Sequence, residues 1–433
     1  MMQDVLLALG VLLSTASQLR PAGAAIGPGE ICLVVWLVLM LIREAGRLGP
    51  PLTPALSQLL IFWLLFAFAL SVGTLTGYAI GDVHDPNLFF HDVMAYPLLA
   101  AVGCFSVVGR EAGSRLHRVA WLLAAFGTAS FALLLAGAWG WFDIAPIEPW
   151  YWDRFRGWSA NPQQLALLCA VLALLALHLA DAASRIGERI AAIACAILPI
   201  YVGGLTKSDS FSLVLVVAGP IFVTLKLREW LFSFEPKLTL RSAFAWIVVL
   251  ALPLLLISAI PFGSLIAVQA EDLARGLAKD NGQTSRQEAE LRIHSWREAI
   301  SRGLESGMLG LGPGPHLEIP DSLVSARRNE ILPKFVETPP ANGTPNFEAH
   351  NTPLDLFTQG GLIAVLSFVW ISATAFFKSY KARLAGLTTL LCGVSIFGLG
   401  NLIVRHPIFW FVITLCLVSG PGTRTASPVR NWS

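Results

Sequence analysis

Charge is scarce in this sequence. Of 433 residues only 13% are Asp, Glu, Lys or Arg, 55% are hydrophobic, and mean hydropathy is +0.65. A soluble domain carries about 25% charged residues, so most of this chain is not solvated by water. The apolar–polar alternation of membrane barrel strands is missing as well, and in lipid only barrels and helices satisfy their own backbone. No CxxC pair occurs, and Cys32, Cys104, Cys169, Cys195, Cys392 and Cys416 all fall inside apolar runs. That excludes a disulfide framework and a cysteine metal site, and leaves small packing residues in helices. The net charge of +2 gives no reason to expect a nucleic-acid partner. The opening MMQD lacks a basic n-region, so the first apolar run is read as a membrane helix and not as a cleaved signal.

What is present is a series of apolar runs near 3–18, 24–42, 54–81, 92–109, 119–141, 161–181, 188–204, 210–227, 244–268, 351–377, 384–401 and 407–420. Runs of about 20 residues are long enough to cross a bilayer as helices. The reading is an all-α polytopic membrane protein of about twelve spans: nine over 1–268, three over 351–420, and a cytoplasmic tail at 421–433. One large water-facing loop fills 269–350. Orientation follows from Lys and Arg in the short loops. With the N-terminus inside, sixteen such residues (Arg43, Arg47, Arg110, Arg115, Arg118, Arg185, Arg189, Lys226, Arg228, Lys237, Arg241, Lys378, Lys381, Arg383, Arg424 and Arg430) lie on the cytoplasmic side. Five lie outside: Arg20, Arg154, Arg156, Lys207 and Arg405. Both termini are therefore expected in the cytoplasm.

Four polar clusters on the expected outer face are left over after that count. In WYWDRFRGWSANPQQ (150–164), two arginines sit among Trp150, Trp152 and Trp158, residues typical of an interface belt. A guanidinium there can clamp phosphate in bidentate fashion; otherwise Arg154 pairs with Asp153 or snorkels to lipid. Asn161 and Pro162 are a cap and first position for the next helix. The outer loop opens with an amphipathic helix expected over 284–304. Ser285 is its cap, and Ala289, Ile293, Trp296 and Ile300 form an apolar stripe against the membrane surface. Arg292 shares a face with Trp296 one turn on, as either a snorkelling or an anion-binding residue, whereas Arg286, Arg297 and Arg302 are expected on the solvated face. GLGPGPH (310–316) is a turn whose glycines let backbone approach a ligand, with His316 an ordinary loop histidine. It follows no strand and precedes no Lys-Ser/Thr, so it is not a nucleotide P-loop. In HNTPLDLFTQGG (350–361), His350 is either an interface histidine or a general base. Asn351 caps the next span, Asp355 lies one turn deeper where it could orient the imidazole, and Gly360-Gly361 permits close helix packing. The His84-Asp85 and His91-Asp92 pairs are read as solvating a short loop; neither a metal nor a cofactor is expected.

Taken in order, RGWSANP at 156–162, RIHSW at 292–296, GLGPG at 310–314 and HN at 350–351 with Gly361 resemble the O-antigen ligase and polymerase superfamily over roughly residues 60 to 400. The resemblance implies a multi-spanning glycosyltransferase of the GT-C-like type in the bacterial inner membrane, acting at the periplasmic face. It implies a glycan donor on undecaprenyl diphosphate, with Arg156 and Arg292 on the diphosphate and His350 as the essential histidine. The acceptor it implies is lipid A–core or a growing polysaccharide. Gly312, Gly314, Trp296, Asn161, Asn351 and Asp355 take supporting places. The chain departs from the pattern at TKSDS (206–210), where relatives often carry a small residue and an arginine; Lys207 is the substitute cation. Gln359 stands where an acidic residue is common. A metal-independent, inverting transfer follows, with His350 taking the acceptor proton while cations neutralise the leaving diphosphate. Repeat-unit polymerisation is the near rival. A lipid-linked sugar transporter is the distant one, disfavoured because transporters place ionisable groups at mid-membrane.

The charge count makes a direct prediction. A phosphatase reporter fused after Asn281 is expected to be active and one fused at Ser433 inactive; the reverse pattern would overturn the orientation.

Overall fold

The computed structural model describes residues 1–20, 26–45, 52–81, 86–232, 282–318 and 346–419. In chain order these form α1 (Met2–Leu13), α2 (Pro28–Ala45), α3 (Pro54–Ile80), α4 (Pro86–Ser106), α5 (Ala112–Ala138), β1 (Trp150–Tyr151), β2 (Arg154–Phe155), α6 (Pro162–Ala182), α7 (Ile186–Leu205), α8 (Asp209–Phe232), α9 (Gly282–Glu305), β3 (Leu317–Glu318), β4 (Asn346–Phe347), α10 (Thr352–Lys381), α11 (Ala385–Phe397) and α12 (Pro407–Val418). Among the described residues, α3, α5, α6, α7, α8 and α10 are long and apolar enough to cross a membrane. The chain is a multi-pass membrane protein. Eleven of the twelve apolar runs appear as helices; the run at 244–268, the tail and the His84-Asp85 pair lie outside the described residues, as do the side chains of His91 and Asp92.

Helix starts follow local chemistry. Thr53, Asn161 and Asn351 each cap a helix whose first turn carries proline, their side chains accepting from Leu56, Gln163 and Leu354 amides. α6, built of Ala and Leu on all sides, sits at the centre: 83% of its apolar window is buried, against 22% for α7 and 17% for α8. A helix apolar all round belongs inside. α12 is similar, and its Trp410 joins Phe62, Trp63 and Phe66 of α3 in one aromatic cluster, with ring centroids 4.4 Å apart at Trp63–Trp410.

Contacts sort the helix ends into two opposite sets. At one end Arg118 of α5 bonds Asp4 of α1, Arg43 of α2 bonds Gln3, and Arg115 donates to the Ser106 and Val108 carbonyls after α4. At the other, Gln18 after α1 bonds the Gly157 and Ser159 carbonyls, Arg154 bonds the Thr206 carbonyl, and Thr352 bonds the Asn401 carbonyl. All four polar clusters of the sequence collect at or just beneath this second end.

α10 departs from the expected continuous span. Gly361 has φ 63 and ψ −159, which breaks the helix about 14 Å below its start at 1.5 Å per residue. The segment after α9 fills the break. Leu311 and Gly312 donate to the Thr358 and Gln359 carbonyls, and Leu362 donates to the Met308 carbonyl. Irregular backbone at this depth persists because protein surrounds it and its polar groups are paired. A methyl on Gly361 would lie 2.1 Å from the Met308 oxygen.

Gly361→Ala is therefore expected to lose roughly 1–3 kcal/mol from its backbone conformation alone, with the steric clash added to that. Gly187→Ala, at a position with nothing within 4 Å, should hold or raise the midpoint. Thermal unfolding in detergent checks both.

Candidate functional site

The site is built around a two-residue ladder, with Leu317 of β3 opposite Phe347 of β4, leading directly into α10. Between them the chain turns sharply, and His350 takes a left-handed φ of 50. That conformation costs about 1–2 kcal/mol for a residue with a Cβ, so something must hold it. Asp355 does. Its carboxylate, 2% exposed, accepts from the Ala349 amide at 2.7 Å and the Asn351 amide at 2.9 Å, the two amides that flank His350. By its spacing Asp355 could orient the imidazole; the bonds it makes are to the backbone amides on either side of His350. His350 itself is exposed.

Asn351 does more than cap. Its Nδ2 donates to the Leu399 carbonyl at 2.9 Å, the Thr352 amide bonds the Gly398 carbonyl, and Thr352 Oγ1 accepts from Ile403. Arg405 pairs with Glu348, two residues before His350. The turn between α11 and α12 thus fastens the base of the His350 loop from one side.

From the other side comes α9. Ser295, Ala299, Gly303 and Ser306 face the protein, and a Cβ on Gly303 would lie 2.2 Å from the Phe357 ring. The helix begins at Gly282, so Ser285 lies within it and not at its cap. Of the expected apolar stripe, Ile293 and Ile300 face away from the protein, 49% and 45% exposed, and Leu304 joins them at 52%. Trp296 sits at the boundary and donates its indole N–H to the Ala349 carbonyl at 3.1 Å. Arg292, one turn earlier, is exposed and has no ion pair or hydrogen bond among the described residues. Arg297 is exposed as expected. Arg302 is not on the solvated face: it is half-buried and pairs with Glu298 and with Glu318 of β3.

The other two candidate cations form a second group. Arg156 folds back on its own loop. Its guanidinium bonds the Glu148 carbonyl at 3.0 Å and the Glu148 carboxylate at 2.8 Å, and lies 5.4 Å from the Tyr151 ring. Lys207, with φ 50, pairs with Asp153. The ammonium holds the Asp153 carboxyl below the usual carboxylate range, yet both partners are more than half exposed, so water and salt screen the pair. Arg154 bonds the Thr206 and Lys207 carbonyls at the end of α7, as cations at helix C-termini do. Trp158 leaves the expected interface belt and is buried, its indole bonding Thr15. Arg156 and Lys207 are thus tied into one assembly by 148–160 and 206–207, whereas Arg292 and His350 are joined through Trp296 and Ala349.

Gly312 and Gly314 lie at φ 104 and 116 within the buried turn. The close backbone approach that glycine permits is made to α3 and α10: a Cβ on Gly312 would lie 2.9 Å from Thr74 Oγ1. His316 is no ordinary loop histidine. It is 2% exposed and its Nε2 lies 2.7 Å from the Gly312 carbonyl, closing the turn. Gln359 is buried and accepts from the Tyr96 hydroxyl at 3.4 Å.

Residues 194–369 match the family model described as O-antigen ligase. No curated protein and no solved structure matches the chain. The matched stretch runs from α7 to the middle of α10 and contains Lys207, Arg292, the glycine turn and His350; Arg156 and Asn161 precede it. The match supports the O-antigen ligase family, and with it membrane glycan transfer of the ligase or polymerase kind.

Asp355→Ala strands two buried amides at about 1–3 kcal/mol each, and should lower the unfolding midpoint measurably. Asp355→Asn keeps one acceptor oxygen and is expected to fall between. Equal midpoints for Ala and wild type would contradict the grip assigned to this carboxylate.

Proposed function

We propose that this chain, carrying an O-antigen ligase match over α7–α10, transfers a glycan from undecaprenyl diphosphate to an acceptor hydroxyl at the periplasmic face of the inner membrane. The favoured acceptor is lipid A–core; a growing polysaccharide is the second reading. The observation that carries the proposal is the Trp296–Ala349 bond. It draws an exposed arginine and an exposed histidine to one rim of an otherwise apolar bundle, where a prenyl-tethered diphosphate meets water.

In this reading Arg292 meets the diphosphate first. Its fork of donors suits two phosphate oxygens, and among the described residues no carboxylate pairs with it. Arg156 reaches the donor only as Glu148 releases it, a small reorganisation because that carboxylate is 80% exposed. Lys207 plays the third cation on the same terms with Asp153. Charge developing on the leaving diphosphate is neutralised by these groups, which supplies the main electrostatic stabilisation. His350, in its neutral form, takes the acceptor proton as the hydroxyl attacks the anomeric carbon, and one displacement inverts that centre. The multi-spanning glycosyltransferase architecture belongs to the same proposal.

Complementation of a deletion strain tests the reading. Wild type should restore long glycans on lipid A–core, and the empty vector should leave polymerised glycan on its lipid carrier. Single repeat units on the carrier would instead select the polymerase reading. Arg292→Lys is expected to fail or nearly fail, since an ammonium cannot give the bidentate contact, while Arg297→Ala should complement. Equal tolerance of both substitutions would sink the diphosphate contact.

A further inference from the structure

α9 has three sides where a surface helix in water has two, one toward the core and one toward solvent. Ser295, Ala299 and Gly303 form its buried side. Glu298 and Arg302 lie on a second side, where Arg302 reaches Glu318 of β3. Ile293, Trp296, Ile300 and Leu304 form the third, an exposed apolar strip along the helix. Exposed apolar patches mark interaction surfaces, and this one does not stop where the helix does. Met308 follows it, also exposed, and the Met308 carbonyl accepts from the Leu362 amide of α10. From Leu362 the exposed apolar surface runs down α10 through Leu366 and Val369. α10 is long and apolar enough to span a membrane, so this side of it meets lipid. The strip on α9 and the lipid-facing side of α10 therefore adjoin.

Two bonds fix α9 at similar depths. Trp296 bonds the Ala349 carbonyl, and three residues later Thr352 bonds the turn between α11 and α12. α11 and α12, of 13 and 12 residues, rise only about 18–20 Å. Their opposite ends lie level with the end of α10, where Lys378 bonds the Leu417 carbonyl. The three residues from Ala349 to Thr352 add at most about 10 Å. The second bond is the one at Leu362, about 28 Å above Lys381 at 1.5 Å per residue. A hydrocarbon core is about 30 Å thick, so both bonds fall toward its outer boundary. We propose that α9 lies along the membrane plane within the outer leaflet, and that lipid occupies its apolar side. Ile293, Ile300 and Leu304 sit among acyl chains, Trp296 at their polar edge, and Glu298 and Arg302 in water. Arg297, exposed beside the strip, lays its stem on apolar surface and turns its guanidinium to lipid phosphate. Arg292, on the other border of the strip, is thereby held at headgroup level.

Collisional quenching tests this on the full chain in vesicles of phosphatidylethanolamine and phosphatidylglycerol. A fluorescent amino acid replaces Ile300 or Leu304 of the strip, or Ser301 or Glu305, their exposed neighbours a third of a turn away. One quencher is a lipid spin-labelled near the top of its acyl chain; the other is iodide, present on both sides of the bilayer. Leu366 on α10 supplies the lipid-facing reference and checks that the labelled chain is folded. The spin-labelled lipid should quench positions 300 and 304 several-fold more than 301 and 305, and iodide should reverse that order. Should one pair fail to fold, Ile293 against His294 repeats the comparison. Iodide reaching 300 and 304 as readily as 301 and 305 overturns the proposal. Shielding of 300 and 304 from both quenchers overturns it too, since another segment or a second copy would then cover the strip.

Discussion

Two hydrogen bonds from one buried carboxylate set the geometry on which the candidate site depends. Asp355 accepts the amides of Ala349 and Asn351 and so bends the chain between them, leaving His350 exposed in a left-handed conformation. A carboxylate 2% exposed is tolerated in an apolar bundle because it is bonded. Its place in the first turn of α10 also sets it against the positive end of the helix. The turn is closed from above by Trp296 on the Ala349 carbonyl and from the side by Asn351 on the Leu399 carbonyl. Three elements remote in sequence therefore agree on the position of a single residue.

The break in α10 is the second constraint. A continuous helix would present no unpaired carbonyls at Thr358 and Gln359, and the turn at 310–314 would have no place to bond. With Gly361 outside helical geometry, the turn bonds both carbonyls and wedges against α3, where a Cβ on Gly73 would lie 2.4 Å from the Gln359 oxygen. This anchors the C-terminal end of α9 in the bundle. The anchored helix turns its small residues inward and its apolar stripe outward, so Arg292 and Trp296 fall at the boundary. The glycines thus serve backbone packing that sets the angle of the helix bearing Arg292.

Local signals were legible in the sequence and distant ones were not. Asn161 and Asn351 could be read as caps because the cap, its proline and the amide that donates to it lie within four residues of one another. The apolar runs were legible because length and composition alone define a span. The small-residue face of α9 was hidden, since Ser295, Ala299 and Gly303 are quiet in a pattern search dominated by Ile293, Trp296 and Ile300. The pairing of Arg156 with Glu148 depends on the β1–β2 hairpin, whose two-residue strands carry no periodicity to find. Asp355 was placed near His350 by spacing, but its bonds to amides instead of to the imidazole depend on the backbone turn that those same bonds create.

The central claim is that His350 performs the proton transfer from a position held by other residues. Turnover and donor affinity of purified wild type and His350→Ala, with a defined acceptor, test it most directly. The account predicts a fall in turnover of about 10²–10⁴-fold, with donor affinity close to wild type because the cations remain in place. Near-normal turnover in His350→Ala at neutral pH would contradict it.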